Sequence, residues 1–227
     1  MSEAVHAFFS QWEIYRLCIE HNTLHHRQVG AILHRELLAQ NKPFTFLDLA
    51  CGDAELTATA LSGTAVRTYT GVDFSAPAIA SAAERTVALK VPREFHEQDF
   101  TRFLSNHRGT FDITYLGLSL HHLQAAEKRR ALTNLRRITS TLYLFEPILH
   151  GSETRDECLT RWHRAMDGPY DQFPPEARET LWTHVHTSDF PEPESTYLGS
   201  AREAGFNTAE TLFTDTDNFY SLFRFRA

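Results

Sequence analysis

The stretch Phe44-Thr45-Phe46-Leu47-Asp48-Leu49-Ala50-Cys51-Gly52-Asp53-Ala54-Glu55-Leu56 decides how this chain folds. Phe44 to Ala50 is a short apolar run with the character of a buried strand, and it ends in a turn of small residues. Ala54 to Leu61 then has the composition of a helix. A strand that turns through small residues into a helix is the opening unit of an α/β fold. Its turn stands at the carboxyl edge of the sheet, where such folds bind ligands. Alone, the turn says little about function, because any tight passage from strand to helix needs small residues.

Reading outward, Val29, Leu33 and Leu37 share one helix face upstream, and Asn41-Lys42-Pro43 stops that helix, since proline lacks the N–H and restricts the residue before it. Downstream, strands are predicted at Val66 to Asp73, Glu94 to Gln98, Phe111 to Gly117 and Thr139 to Glu146, with helices at Ala76 to Lys90 and Ala125 to Ile138. This alternation implies right-handed crossovers and a doubly wound, mostly parallel α/β sheet. It breaks after Pro147. Residues 148 to 198 are rich in aromatics, histidine and proline, with helical stretches near Asp156 to Met166 and Pro175 to His184. A helix at Thr196 to Ala204 ends at Gly205, and Thr208 to Thr214 and Phe219 to Phe225 flank the turn residues Asp215-Thr216-Asp217-Asn218 as a closing antiparallel hairpin. The expectation is one domain over 1–227, with N-terminal helices over 1–42 and a helical cover over 148–198 inserted between the fifth and sixth strands.

The formal charge of −7 argues against a surface built for nucleic-acid phosphates. Lys128-Arg129-Arg130 and Arg136-Arg137 read as the solvated face of a helix whose apolar positions are Leu132, Leu135 and Ile138. No apolar run is long enough for a membrane span, and Met1 to His6 lacks a leader-like pattern, so a cytoplasmic protein without a membrane partner is expected. Cys18, Cys51 and Cys158 are too few and too scattered for a disulfide framework or a metal cluster and read as reduced thiols.

The second strand gives the turn a meaning. Asp73 ends it about 20 residues beyond the small-residue turn, where a carboxylate can accept hydrogen bonds from both hydroxyls of a ribose. In order, Phe46 to Ala54, Gly71-Val72-Asp73-Phe74-Ser75, Glu97-Gln98-Asp99-Phe100 and Phe111 to Leu123 resemble the four motifs of the class I S-adenosylmethionine-dependent methyltransferase family, over about residues 44 to 146. The resemblance implies a Rossmann-like seven-stranded sheet, S-adenosyl-L-methionine as cofactor, and methyl transfer. It also implies cofactor contacts at Asp48, Ala50, Cys51 and Gly52, at Asp73 and Phe74 for the ribose, at Asp99 and Phe100 for the adenine, and at Leu116 and Gly117 beside the sulfonium. The family favours glycine at three small positions, which here are Ala50, Gly52 and Ala54. Alanine costs about 1–2 kcal/mol in a left-handed conformation, so Gly52 is expected to take the demanding position. Tyr15, His26 and Arg27 are candidates for the amino-acid end of the cofactor. A nicotinamide dinucleotide fits poorly: the G-x-G-x-x-G turn is missing, and Asp53 and Glu55 would repel a pyrophosphate.

Methyl transfer is an in-line displacement that needs alignment first, and a base only when the acceptor atom carries a proton. His122 and His121, after the fourth strand, are the candidate catalytic bases. His184-Val185-His186 would place two imidazoles on one face if extended, but with no acidic partner evident nearby no metal is expected. Tyr15, Glu146, Trp162, Tyr170, Trp182 and His184 are the candidate substrate contacts, suited to an aromatic or heterocyclic small molecule methylated on O or N. The partners expected are a small-molecule substrate and no nucleic acid, in a monomer or homodimer. The alternatives are a protein or tRNA methyltransferase, and a non-catalytic subunit that binds the cofactor.

Overall fold

The computed structural model describes residues 12–227; the segment Met1 to His6 lies outside the described residues. Two helices lead, α1 (Trp12–Glu20) and α2 (His26–Leu38). They are followed by β1 (Phe44–Leu49), α3 (Glu55–Leu61), β2 (Val66–Asp73), α4 (Ala76–Arg85), β3 (Arg93–Glu97), α5 (Phe100–Asn106), β4 (Phe111–Gly117), α6 (Ala125–Ile138) and β5 (Thr139–Leu149). After β5 come α7 (Arg155–Ala165), α8 (Pro175–Ser188), the two-residue β6 (Glu192–Pro193), α9 (Glu194–Glu203), β7 (Thr208–Thr214) and β8 (Tyr220–Arg226).

The main sheet runs β3-β2-β1-β4-β5-β8-β7, with β6 paired to β5 off this path. The first five strands pair in parallel, while β8 lies antiparallel to both β5 and β7, which is the expected closing hairpin. Strand order reverses between β1 and β4. That switch point opens a crevice outside the carboxyl ends of the two strands, and it fixes where a ligand can sit.

Alternation along the strands sorts the core onto two faces. Phe46, Tyr115, Tyr143, Phe145 and Leu222 pack with Val29, Leu33 and Leu37 of α2 and Ala60 and Leu61 of α3. Leu47, Leu49, Leu116, Leu144, Phe223 and Phe225 pack on the other face with Phe103 of α5, Leu132 and Leu135 of α6, and Tyr197 of α9. Among the described residues no helix is long and apolar enough to cross a membrane.

Several elements differ from expectation for local reasons. The helix begun by the Ser75 cap ends at Arg85 and tightens into a 3₁₀ turn, Thr86–Leu89, closed by Lys90 in a left-handed conformation. Strand β5 runs past Pro147 to Leu149, since Ile148 N–H still finds Phe219 O at 2.8 Å. His184, Val185 and His186 lie in α8, so the extended reading fails. At 100° per residue the two imidazoles diverge: His184 is buried and His186 exposed. Lys128 is not solvated either; it is 4% exposed, donates to Phe190 O, and pairs with Glu192 at 3.1 Å.

Candidate active site

The turn after β1 is more strained than its sequence suggests. Ala50 (φ 50°), Gly52 (φ 52°) and Ala54 (φ 57°) are all left-handed, so Gly52 does not carry the demand alone. Hydrogen bonds hold the coil in place. Cys51 N donates to Val72 O at 3.0 Å, Ala54 N to Cys51 O at 2.9 Å, and Gly52 N to Asp73 Oδ2 at 2.9 Å. Asp73 Oδ1 also accepts from Ser75 N at 2.9 Å, so one carboxylate ties the β1 turn to the β2 turn.

Beneath the turn, Asp48 is 1% exposed and accepts from Thr57 Oγ1 at 2.5 Å and Tyr69 Oη at 2.7 Å. Burial outweighs these hydroxyls and, with Asp73 and Asp53 nearby, raises its pKa to about 7. Arg85 of α4 reaches back to Asp53 at 2.8 Å and to Glu55 at 3.5 Å. The acidic turn is therefore partly neutralised, and what excludes a pyrophosphate here is the missing glycine pattern rather than bare negative charge.

A cavity of about 770 Å³ opens above this turn. It is bordered by Asp48, Ala50, Cys51, Gly52, Asp73, Phe74 and Gly117 among the predicted cofactor contacts, and by Tyr15, His26 and Arg27 from the N-terminal helices. Leu116, Phe100 and Asp99 do not border it. Leu116 and Phe100 are core residues at 0% and 1% exposure, while Asp99 caps α5, its Oδ1 accepting from Thr101 N at 2.7 Å.

Three features suit the cavity to a nucleoside-bearing amino acid. Asp73 provides the carboxylate at the β2 tip. A Cβ at Gly117 would fall 2.5 Å from Tyr115 Oη, so the backbone there stays bare. His26, whose Nε2 lies 3.0 Å from Tyr15 Oη, has its buried Nδ1 unmatched by any hydrogen-bond partner among the described residues. Burial, and secondarily His25, lower the His26 pKa to about 4, which keeps the ring neutral.

The turn after β4 is built on Glu146. This carboxylate is fully buried and accepts from the amides of Ser119 (3.0 Å), Leu120 (2.9 Å) and His121 (2.9 Å), with His121 Nδ1 at 2.6 Å from Oε2. Glu146 therefore faces the turn and borders neither cavity; its position inside the strand, not at its end, explains the difference from the substrate contact expected. Leu118 is left-handed at φ 50°, and the turn it opens carries His121 and His122.

Both imidazoles meet Asp189, which follows α8. His122 Nδ1 lies 3.2 Å and His121 Nε2 3.5 Å from Asp189 Oδ1, with His184 Nε2 at 3.8 Å. Burial lowers the His121 pKa, but Asp189 and Glu146 outweigh it and raise the group to about 9. Burial and then the neighbouring His121 lower that of His122, while burial takes His184 to about 3. Asp189 escapes a reading of the sequence; an acid five residues beyond His184 is the available signal.

These groups end a second, narrower cavity of about 70 Å³, bordered also by Tyr15, Leu118, Pro147, Trp162 and Tyr220. Tyr15, Leu118 and His122 border both cavities. Of the expected cover aromatics, only Trp162 reaches this wall. Trp182 stacks behind it with ring centroids 6.1 Å apart, and Tyr170 packs against Trp162 and Phe173, so these two form the core of the cover itself.

Residues 46–141 match the family model described as a methyltransferase domain. No curated protein matches the chain by sequence. Among solved structures, the chain is similar to magnesium protoporphyrin IX methyltransferase of Synechocystis PCC 6803 with bound SAH, at 16% identity and a TM-score of 0.68, covering 96% of this chain and 94% of that one. It is also similar to DhpI in complex with SAH, at 14% identity and a TM-score of 0.64, covering 100% and 98% respectively. An O-methyltransferase family protein from Burkholderia thailandensis matches at 18% identity and a TM-score of 0.60, over 88% of this chain and 56% of its own length. The chain thus spans little more than half of that last protein. Residues 46–141 thus carry a methyltransferase-domain match, with the Gly52–Asp73 junction at its switch point, and the chain shares the fold of these solved methyltransferase structures.

Proposed function

We propose that residues 1–227 act as one catalytic domain that methylates an O or N atom of a small aromatic or heterocyclic molecule. The observation that carries this reading is the pair of adjoining cavities with a common wall of Tyr15, Leu118 and His122. S-adenosylmethionine, when bound, supplies an electrophilic methyl group on a sulfonium. In the larger cavity Asp73 would hold its ribose hydroxyls, the bare backbone at Gly52 and Gly117 would admit it closely, and Tyr15, His26 and Arg27 would meet its amino-acid end. The acceptor belongs in the smaller cavity, where His122 stands at the shared wall as the candidate base and His121 is held behind it by Glu146.

The smaller cavity measures only about 70 Å³, whereas a benzene ring occupies one of roughly 150 Å³. Acceptor entry therefore requires α7 and α8, the cover over 148–198, to yield.

Calorimetry with S-adenosylmethionine and its demethylated product tests the cofactor half of the reading. Binding is expected at one site, and Asp73→Ala should weaken it about 10- to 100-fold, the value of losing hydrogen bonds to a charged group. Absence of binding, or no effect of the substitution, sinks it. Turnover of labelled cofactor against a metabolite extract tests the enzyme half: a methylated small product is expected, and its absence would favour a non-catalytic subunit.

A further inference from the structure

We propose that His121, His122 and Asp189 form a binding site for a divalent transition metal of the zinc class at the end of the smaller cavity. The inference rests on the reading that this cavity takes the acceptor only for the metal's use, not for its existence. One ligand atom from each residue lies within 4.8 Å of the others. The two nitrogens sit 3.2 Å and 3.5 Å from Asp189 Oδ1. Metal arms of about 2.0–2.1 Å in a tetrahedron separate neighbouring ligand atoms by roughly 3.3 Å, close to these two spacings.

Both contacts converge on one carboxylate oxygen. Asp189 Oδ1 is buried and has no hydrogen-bond partner among the described residues, although two imidazole nitrogens stand within hydrogen-bond distance of it. A buried carboxylate oxygen surrounded in this way is costly unless something satisfies it.

The surroundings supply what a metal-binding histidine needs behind it. His121 presents Nε2 to Asp189 while its Nδ1 meets the Glu146 carboxylate at 2.6 Å, and three backbone amides fix that carboxylate in turn. A carboxylate behind the imidazole sets the tautomer and orients the ring for the metal. His122 Nδ1 also lies 3.2 Å from Ser188 O, so binding there would require that ring's proton on Nε2 instead, while the proton on His121 Nε2 would leave to solvent. Three protein ligands leave a fourth position, and all three residues border the smaller cavity. An oxygen acceptor bound there would be polarised as a Lewis acid polarises it, which names the acceptor class as one with a metal-binding hydroxyl or carbonyl.

The chain, stripped by a chelator and then titrated with Zn²⁺ or Co²⁺, tests this without any methyl donor. Expected are one equivalent bound, visible absorption of four-coordinate Co²⁺, and affinity at least tenfold weaker in His122→Gln and in Asp189→Asn. Glu146→Gln should weaken it about 10- to 100-fold. If Asp189→Asn does not fold, His122→Gln decides. No stoichiometric binding, or binding undiminished in the folded ligand variants, overturns the site. Because the readout is metal binding alone, its failure leaves the methyl-transfer reading intact, and failure of cofactor binding leaves the metal site standing.

Discussion

Ala50 and Ala54 carry a cost that their letters conceal. Each holds a left-handed φ that costs an L-residue about 1–2 kcal/mol, in a turn where the one glycine was expected to bear the load. Glycine removes that cost but adds about 0.4–1 kcal/mol of unfolded-state entropy. Ala50→Gly and Ala54→Gly should therefore each stabilise the chain by about 0.5–1 kcal/mol, read as a higher urea midpoint at unchanged slope. A lower midpoint would show that the methyl groups contribute packing that outweighs the backbone strain. Asp48 gives the pH counterpart. Its folded pKa of about 7 stands above the ordinary value of 3.8, so between those pH values the folded chain binds the extra proton. Stability from this group accordingly falls as pH rises through that window, by on the order of 4 kcal/mol in total, and stays at its lower value above it. The substitution Asp48→Asn keeps an oxygen for the Thr57 and Tyr69 hydroxyls without the charge. It should flatten the stability profile between pH 4 and 7 and exceed the parent above pH 7; parallel profiles would count against this account. Composition exposed the small residues here, but neither φ nor burial is written in a single letter.

At the level of elements, the alternating βα units were legible because each carries its own apolar period, and the strands of the parallel half appear where periodicity puts them. Contacts made only after distant elements meet were not. Glu146 looked like a strand end open to substrate, yet β5 continues past Pro147 and turns the carboxylate onto the amides of residues 119–121. Helix α8 and the residue that follows it bring His184 and Asp189 near His121 and His122, which lie more than sixty residues earlier in the chain. The cover helix α7 is anchored by Trp162, whose Nε1 donates to Tyr220 Oη at 3.2 Å on β8. Trp162→Ala should cost about 3–5 kcal/mol of stability through the cavity it leaves. It borders only the smaller cavity, so the same change should alter the KM for the acceptor while leaving cofactor affinity unchanged. A loss of cofactor binding in a folded Trp162→Ala chain would mean that the two cavities are not separable.

Over the whole molecule, the doubly wound sheet and its closing hairpin follow from the order of the elements, whereas the acceptor does not, because the side chains of the 148–198 segment proposed to meet it divide between pocket wall and internal core. Charge does bear on the acceptor's class. The chain carries a formal −7, and much of its densest basic segment is engaged internally: Lys128 with Glu192 and Phe190 O, Arg136 with Gly205 O, and Arg137 with the carbonyls of His107 and Leu104. Elsewhere Arg224 pairs with Glu36 and Glu210, and Arg161 with Glu153. Arginines spent on carbonyls and carboxylates cannot also displace counterions from a phosphate backbone, the source of nearly all sequence-independent nucleic-acid affinity. Mixed tRNA should therefore show no binding to the chain at physiological salt. At low salt any residual binding should give a slope of log K against log salt of about −1 to −2, the signature of one or two phosphate contacts. A slope of about −5 or steeper, with binding that persists at physiological salt, would require a basic face assembled from Arg129, Arg130 and their neighbours, and would shift the acceptor from a small ring to an RNA base.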